Sequence, residues 1–289
     1  RFRNVTGVQT CALPIYMNRD DLFSAAVLGE EFCRSDSRSI KATTAATYAI
    51  RSYAMLLAKG EGEGRSKEDL ESDRARLRSL AKFIESTWPD DPAADLARQM
   101  QGWVSARERN YVDAIAHFER VSPGYADRTR SLYQLADALL QAGKDANTKS
   151  QGPTFEQRAT AALQLIPDLD AQADSGTIGA FFAAKQVLGG LYYRNKQFDQ
   201  LEKLSDSLLA RANTLDEKSK GEHKPNAQIL NYYGRFGKAN AALEKSDYAA
   251  AQAMALPVIQ MAKDAAVQEY FNQLKEKDPA IIQIGRAHV

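Results

Sequence analysis

Apolar residues along this chain recur three and four positions apart. Such spacing places them on one face of an α-helix. One series comprises Leu70, Leu77, Leu80, Ile84 and Trp88, and a second comprises Tyr111, Ala114, Ile115, Phe118 and Val121. The strict alternation that is typical of strands is nearly absent. The pattern therefore predicts an all-α chain with no β-sheet.

An aromatic residue or Leu opens an amphipathic stretch six times, at intervals of 47, 41, 44, 43 and 50 residues. These six positions are Phe23, Leu70, Tyr111, Phe155, Phe198 and Tyr248. The segment between each pair is also helical in pattern, so the repeating unit is a helical hairpin. We expect helices near 40–58, 67–87, 92–107, 111–121, 127–142, 154–166, 176–195, 198–212, 225–244 and 247–262, with a further one at 264–276.

Capping residues and breakers mark the ends of these helices. Asp91 before Pro92 predicts a helix start, and Thr154 with Gln157 fits a capping box. Glycine and proline mark the stops. Three polar segments are predicted to connect helices: Gly60–Gly64, Lys144–Ser150 and Asn213–Lys224.

One hairpin carries a family resemblance. Gly102, Asn110, Tyr111, Ala114 and Phe118 stand at the spacing of the tetratricopeptide repeat, although the intervals above exceed that family's 34 residues. The chain therefore resembles a divergent tetratricopeptide-type α-solenoid of stacked antiparallel hairpins. The resemblance implies a right-handed superhelix whose first helices line a concave groove. The segments at 25–34 and 87–97 are also similar to uncharacterised helical-repeat proteins of planctomycete-type bacteria.

Both termini resemble translated sequencing adaptor. Residues 5–15 (VTGVQTCALPI) and 284–289 (IGRAHV) match the two orientations of one adaptor in frame. We therefore interpret 1–15 and 284–289 as non-native tails that lie outside the packed array. Residues 16–283 are then a single helical-repeat domain of about six hairpins, truncated at both ends.

Composition favours a globular chain without nucleic-acid chemistry. The sequence is 44% hydrophobic and 26% charged, with a formal charge of +1. Without Arg1, Arg3 and Arg286, 35 Lys and Arg face 37 Asp and Glu. This balance gives no reason to expect nucleic acid or an anionic membrane as a partner. No apolar run is long enough for a membrane span, so we expect no membrane insertion by this segment.

Candidate catalytic and metal-binding residues are few. Between the tails, His117 and His223 are the histidines and Cys33 is the single thiol. Neither histidine has a carboxylate or thiol at ligand spacing, and Cys33 falls on an apolar helix face. We expect a surface His, a loop His and a buried Cys. The sequence thus predicts no catalytic residues, no metal site and no cofactor.

A cluster of aromatic and basic residues is the best candidate for partner binding. Its members are Tyr192, Asn231, Tyr232, Arg235 and Lys238, on the first helices of two successive hairpins. In tetratricopeptide arrays such positions face the groove, where Asn, Arg and Lys bind extended peptides. The alternative is that part of the tyrosines pack between hairpins.

The predicted function is a non-enzymatic scaffold that binds a peptide or protein partner along the solenoid groove. The alternative is a helical-repeat accessory or sensor segment of a larger multidomain bacterial protein, such as an envelope-anchored one. Under the first hypothesis, affinity for the partner comes from many shallow contacts along the groove.

Overall fold

A computed structural model of the chain describes residues 13–145, 148, 151–169, 174–218, 224–261 and 263. Within these ranges the fold is helical, without a strand. The helices are α1 (Leu22–Ser35), α2 (Ala42–Gly62), α3 (Lys67–Thr87), α4 (Pro92–Arg107), α5 (Tyr111–Glu119), α6 (Arg128–Ala142), α7 (Gly152–Gln164), α8 (Ser175–Arg194), α9 (Phe198–Lys218), α10 (Lys224–Glu244) and α11 (Tyr248–Met261). Residues 13–18 add a short helical segment before α1. The all-α prediction is confirmed.

Two predicted connectors are wrong in part. Helix α2 continues through Gly60 to Gly62, and α9 continues to Lys218. Ala212 and Leu215 are buried, so the apolar stripe of α9 extends past the polar residues that suggested a loop. The connector 144–150 and the predicted helix 264–276 lie largely or wholly outside the described residues.

Side-chain caps mark the starts of α3 and α4, as predicted for Asp91. The side chain of Asp91 accepts a hydrogen bond from the Ala93 amide at 2.8 Å. Ser66 accepts one from Asp69 at 3.1 Å. The first amides of a helix have no acceptor within the helix. Because each cap accepts a hydrogen bond from one of them, it fixes the residue at which the helix begins. Thr154 is not a cap, since α7 begins two residues before it.

The contacts divide the chain into two compact units, Arg1–Ala162 and Leu163–Val289, with α7 across the division. In the first unit, each of α1 to α5 packs on the next helix, and α2 and α6 both contact α4. In the second unit, α9 packs on α8 and α10, α10 packs on α11, and α8 also contacts α10. Within each unit, neighbouring helices thus pack as in a helical repeat.

The same turn closes five of the hairpins. Each turn contains one residue with a left-handed φ of 55° to 71°, followed by an amide that donates to the carbonyl five residues earlier at 2.8–2.9 Å. This is the hydrogen bond of the Schellman motif. The left-handed residues are Asp20, Gly64, Arg109, Lys196 and Ser246. These residues lie 44, 45, 87 and 50 positions apart, so the turns recur at one or two repeat intervals.

Small residues allow neighbouring helices to approach closely. A Cβ on Gly102 would lie 2.7 Å from the Phe118 ring, so α4 and α5 can cross here only because Gly102 lacks a side chain. On α10, a Cβ on Gly234 would lie 2.9 Å from the backbone oxygen of Ser205. A residue larger than glycine at either position would force the helices apart.

One residue of the N-terminal tail is part of the first unit's core. Leu13 is 1% exposed and clusters with residues of α1 to α4 such as Phe32 and Leu57. The expectation that residues 1–15 lie outside the packed array is therefore wrong at Leu13.

We predict that Leu13→Ala lowers the unfolding free energy by about 2–4 kcal/mol, because it leaves a cavity in a closed core. Ile15→Ala is the matched control, since Ile15 is 51% exposed, and should change stability by less than about 0.5 kcal/mol. Urea denaturation measures both. Equal stabilities of the two variants would contradict the packing of Leu13.

We also predict that Lys196→Gly raises the unfolding free energy by about 0.5–1 kcal/mol, because glycine adopts the left-handed conformation without strain. Lys203→Gly, at an exposed interior position of α9, should lower it by about 1 kcal/mol. Both substitutions replace Lys by Gly. A gain of stability at Lys196 with a loss at Lys203 in the same denaturation assay would therefore show that the left-handed turn is the cause. A loss of stability in both would refute it.

Candidate functional site

The candidate residues lie in the second unit, around α10. This helix packs against α9 through Gly234 and Gly237, whose added Cβ atoms would meet Leu209 and Ser205. On its flank nearer α8, the Tyr233 hydroxyl donates to Gln186 at 3.3 Å. Phe236, two residues after Gly234, lies about 200° further around the helix, on the opposite face. The contact with α9 therefore turns Phe236 away from that helix.

Two of the predicted polar residues bind each other. Nε of Arg235 donates to Oδ1 of Asn231 at 2.6 Å, one helical turn away. Lys238 instead reaches across to α9, where Nζ lies 2.6 Å from Oδ1 of Asp206. Since the Lys238 charge is matched by a carboxylate, Arg235 carries the positive charge of this cluster. It has no carboxylate partner within the described part of the chain.

The two predicted tyrosines differ in exposure. Tyr192 is 5% exposed, and its hydroxyl accepts a hydrogen bond from Gln164 at 2.8 Å. Tyr192 therefore follows the packing alternative rather than facing a partner. Tyr232 is half-buried and stacks on Phe236, with ring centroids 6.2 Å apart and an interplanar angle of 3°. Burial raises the pKa of Tyr232.

Sequence reasoning missed two members of this surface. Phe236 is 39% exposed and Leu243 is 49% exposed. Together with Tyr232 they occupy positions four and seven residues apart, which lie along one face of the helix. We call Tyr232, Phe236 and Leu243 the α10 stripe. That spacing was readable in the sequence, but only the glycine contacts show that this face points away from α9.

Charged residues of the first unit pair internally. Arg74 contacts Glu61 at 3.0 Å, and Arg98 contacts Asp95 at 2.8 Å. Further pairs join Arg107 to Glu61, Arg78 to Glu108 and Arg120 to Glu85. These carboxylates are matched by guanidinium groups, which favours structural roles for them.

A surface pocket of about 200 Å³ lies beside the start of α1. Phe23 and Leu56 supply apolar walls, and an ion pair of Lys59 with Asp20 at 2.5 Å crosses it. Its lining contains neither histidine nor cysteine.

The candidate thiol and imidazole are placed as packing residues. Cys33 is fully buried, and its Sγ donates to the Glu30 carbonyl at 3.3 Å. Burial raises the pKa of Cys33 to about 12. His117 is half-buried, and burial lowers its pKa. His223 lies outside the described residues.

Within the described ranges, no group of three or more His, Cys, Asp and Glu could hold a metal ion. No helix there has the length and apolar character needed to cross a membrane.

No protein-family model matches this chain, and no curated protein is similar to it.

We predict that Cys33 resists alkylation in the folded protein. With the thiol pKa near 12, only about one molecule in ten thousand carries the thiolate at pH 8, and the thiolate is the nucleophile. Iodoacetamide should modify Cys33 at least about a hundredfold more slowly in buffer than in urea. Peptide mapping separates Cys33 from Cys11. Equal rates in the two solvents would show that Cys33 is accessible.

Proposed function

We propose that this chain is a non-enzymatic helical-repeat module of the tetratricopeptide type, and that it binds a peptide or protein partner. In the second unit, the contact surface is the α10 stripe together with Arg235. One observation carries the proposal: Phe236 and Leu243 stand exposed on a first helix that packs against its neighbour through Gly234 and Gly237.

Local geometry supports the tetratricopeptide type. Gly102 lies at the crossing of α4 with α5, opposite Phe118, as the repeat requires. Gly189 occupies the equivalent position on α8, where a Cβ would lie 3.6 Å from Leu201. First helices of successive hairpins contact each other within each unit, which is how such repeats build a binding face.

The exposure of Phe236 and Leu243 supports partner binding. A stacked aromatic pair combines a large apolar surface with few rotatable bonds, so ordering it on binding costs little entropy. Exposed aromatic side chains that sit beside an arginine are typical of residues that dominate interface energies.

The test is selection of binding peptides from a phage-displayed random library on the purified chain. Selected peptides should lose at least about tenfold in affinity for Phe236→Ala, since truncation of an interface aromatic removes more than about 1.4 kcal/mol. Phe23→Ala is the matched control, because Phe23 is 57% exposed on α1 in the other unit. Fluorescence anisotropy measures the affinities, and thermal unfolding verifies that both variants fold.

Selection without enrichment over a blank surface would contradict a binding role. Peptides that bind Phe236→Ala as well as the original chain would place the surface elsewhere.

A further inference from the structure

Helix α11 combines an apolar composition with an exposed face. Its sequence, YAAAQAMALPVIQM, contains no charged residue. Three of its large side chains nevertheless lie largely in solvent: Tyr248 is 70% exposed, Leu256 57% and Ile259 54%. A helix that is apolar around its whole circumference is normally buried on all sides. The composition of α11 therefore suits a second contact surface in addition to its contact with α10.

The exposed residues form one continuous strip along α11. At 100° per residue they fall within an arc of about 140°. No buried or half-buried residue of the helix lies inside this arc, and the buried residues Ala251 and Val258 lie on the other side. We call the strip the α11 face, and its members are Tyr248, Ala249, Gln252, Ala253, Leu256, Ile259 and Gln260.

The preceding hairpin shows that another helix packs on the equivalent face. Helices α9 and α11 each begin two residues after a left-handed turn residue, so their positions correspond at an interval of 50. Leu209 of α9 corresponds to Ile259 of α11. A Cβ on Gly234 of α10 would lie 2.7 Å from Leu209, so the next helix contacts this position in α9. In α11 the same position is exposed.

The two equivalent faces differ in charge. Three acids of α9 form ion pairs with Lys238 and Lys245 of α10. These acids are Asp199, Glu202 and Asp206, and their counterparts on α11 are Ala249, Gln252 and Leu256. A basic helix like α10 would therefore bury its charges on α11 without partners, which is costly. The α11 face suits an uncharged, apolar surface instead.

A second copy of α11 offers such a surface. Interfaces between identical subunits are more apolar than transient interfaces, whose composition resembles the rest of the protein surface. Most homo-oligomers are dimers in which one patch meets itself across a two-fold axis. Because the α11 face carries no charge, it meets itself without repulsion between like charges.

An antiparallel pair of α11 helices makes this face complementary to itself. With the two-fold axis beside position 254, each residue before that position faces the residue equally far after it in the other copy. Ala249 then lies against Ile259, so a small side chain meets a large one. Tyr248 lies against Gln260, whose amide can pair with the tyrosine hydroxyl.

The charges at the ends of α11 favour the same orientation. Asp247 precedes the helix, Lys263 follows it, and both are exposed. Antiparallel pairing brings Asp247 of one copy beside Lys263 of the other at both ends of the pair. Parallel pairing would bring like charges together.

We infer that this chain forms a two-fold homodimer through the α11 face, with the two α11 helices antiparallel. Tyr248, Leu256 and Ile259 are buried between the copies, and the charges at the helix ends pair. The interface uses a different helix from Phe236 and Arg235. The inference thus goes beyond the proposed function and does not rest on it.

Sedimentation equilibrium of the full chain at about 1 to 100 µM measures the association. We expect a dimer that dissociates on dilution, because one helix face is small for a protein interface. Leu256→Glu should weaken the dimer at least about a hundredfold, since it places two carboxylates in an apolar contact near the axis. Leu165→Glu is the matched control, because Leu165 is 68% exposed in the same unit. It should leave the dissociation constant within about twofold.

Disulfide cross-linking tests the orientation, in a chain that carries Cys11→Ser; Cys33 is fully buried. Ala253→Cys lies beside the axis and should cross-link the two copies on mild oxidation. Gln260→Cys lies six positions from the axis, so its two copies are about 18 Å apart along an antiparallel pair. That distance exceeds the reach of a disulfide, so this variant should stay uncross-linked. Cross-linking through Gln260→Cys would rule out the antiparallel pairing.

A chain that stays monomeric at about 100 µM would overturn the inference, and so would a dimer that Leu256→Glu leaves intact. If Leu256→Glu lowers the thermal midpoint of the dilute monomer and Leu165→Glu does not, another part of the same chain covers the α11 face instead. Binding of a monomeric chain to phosphatidylcholine vesicles, abolished by Leu256→Glu, would assign the face to a lipid surface. Peptide selection with Phe236→Ala tests the proposed function separately from all of these outcomes.

Discussion

One backbone hydrogen bond recurs wherever the structure shows a tight hairpin turn, and the repeat depends on it. The amide that follows the left-handed residue donates to a carbonyl in the last turn of the first helix, and this bond reverses the chain within a few residues. Because the reversal is so short, the second helix must begin against the end of the first. The two helices then lie so close at their crossing that a residue as small as Gly102 is needed there. Packing between hairpins follows from that geometry.

Most of the helical architecture could be predicted from the sequence because local signals mark it. The predicted limits of α3 and α4 agree with the structure, since Ser66 and the Asp91–Pro92 pair fix their starts by hydrogen bonds within a few residues. The limits of α2 and α9 were wrong for the opposite reason. Glycines and acids suggested loops there, but burial of Gly60 and Leu215 against other helices keeps those turns helical. Tertiary packing outweighs local propensity in such places.

The candidate site shows the same division between local and tertiary information. The sequence indicated α10 as the helix of interest because Asn231, Tyr232 and Arg235 stand together on it. Which of their side chains remain open was not readable, because this depends on residues distant in sequence. Gln164 binds Tyr192, and Asp206 binds Lys238. The exposure of Phe236 was not readable for a similar reason, because its ring faces outward as a result of the glycine contacts on the opposite side of α10.

The glycine contacts between α10 and α9 have a mechanical consequence. With Gly234 and Gly237 seated against the Ser205 backbone and side chain, α10 lies in close contact with α9, and this contact resists rolling of α10 about its own axis. The bridge from Lys238 to Asp206 opposes the same roll. The rotational orientation of α10 about its axis is thereby set within the unit itself. A partner of the proposed surface would meet a helix already in its final orientation, and its binding energy would not be spent on ordering that helix.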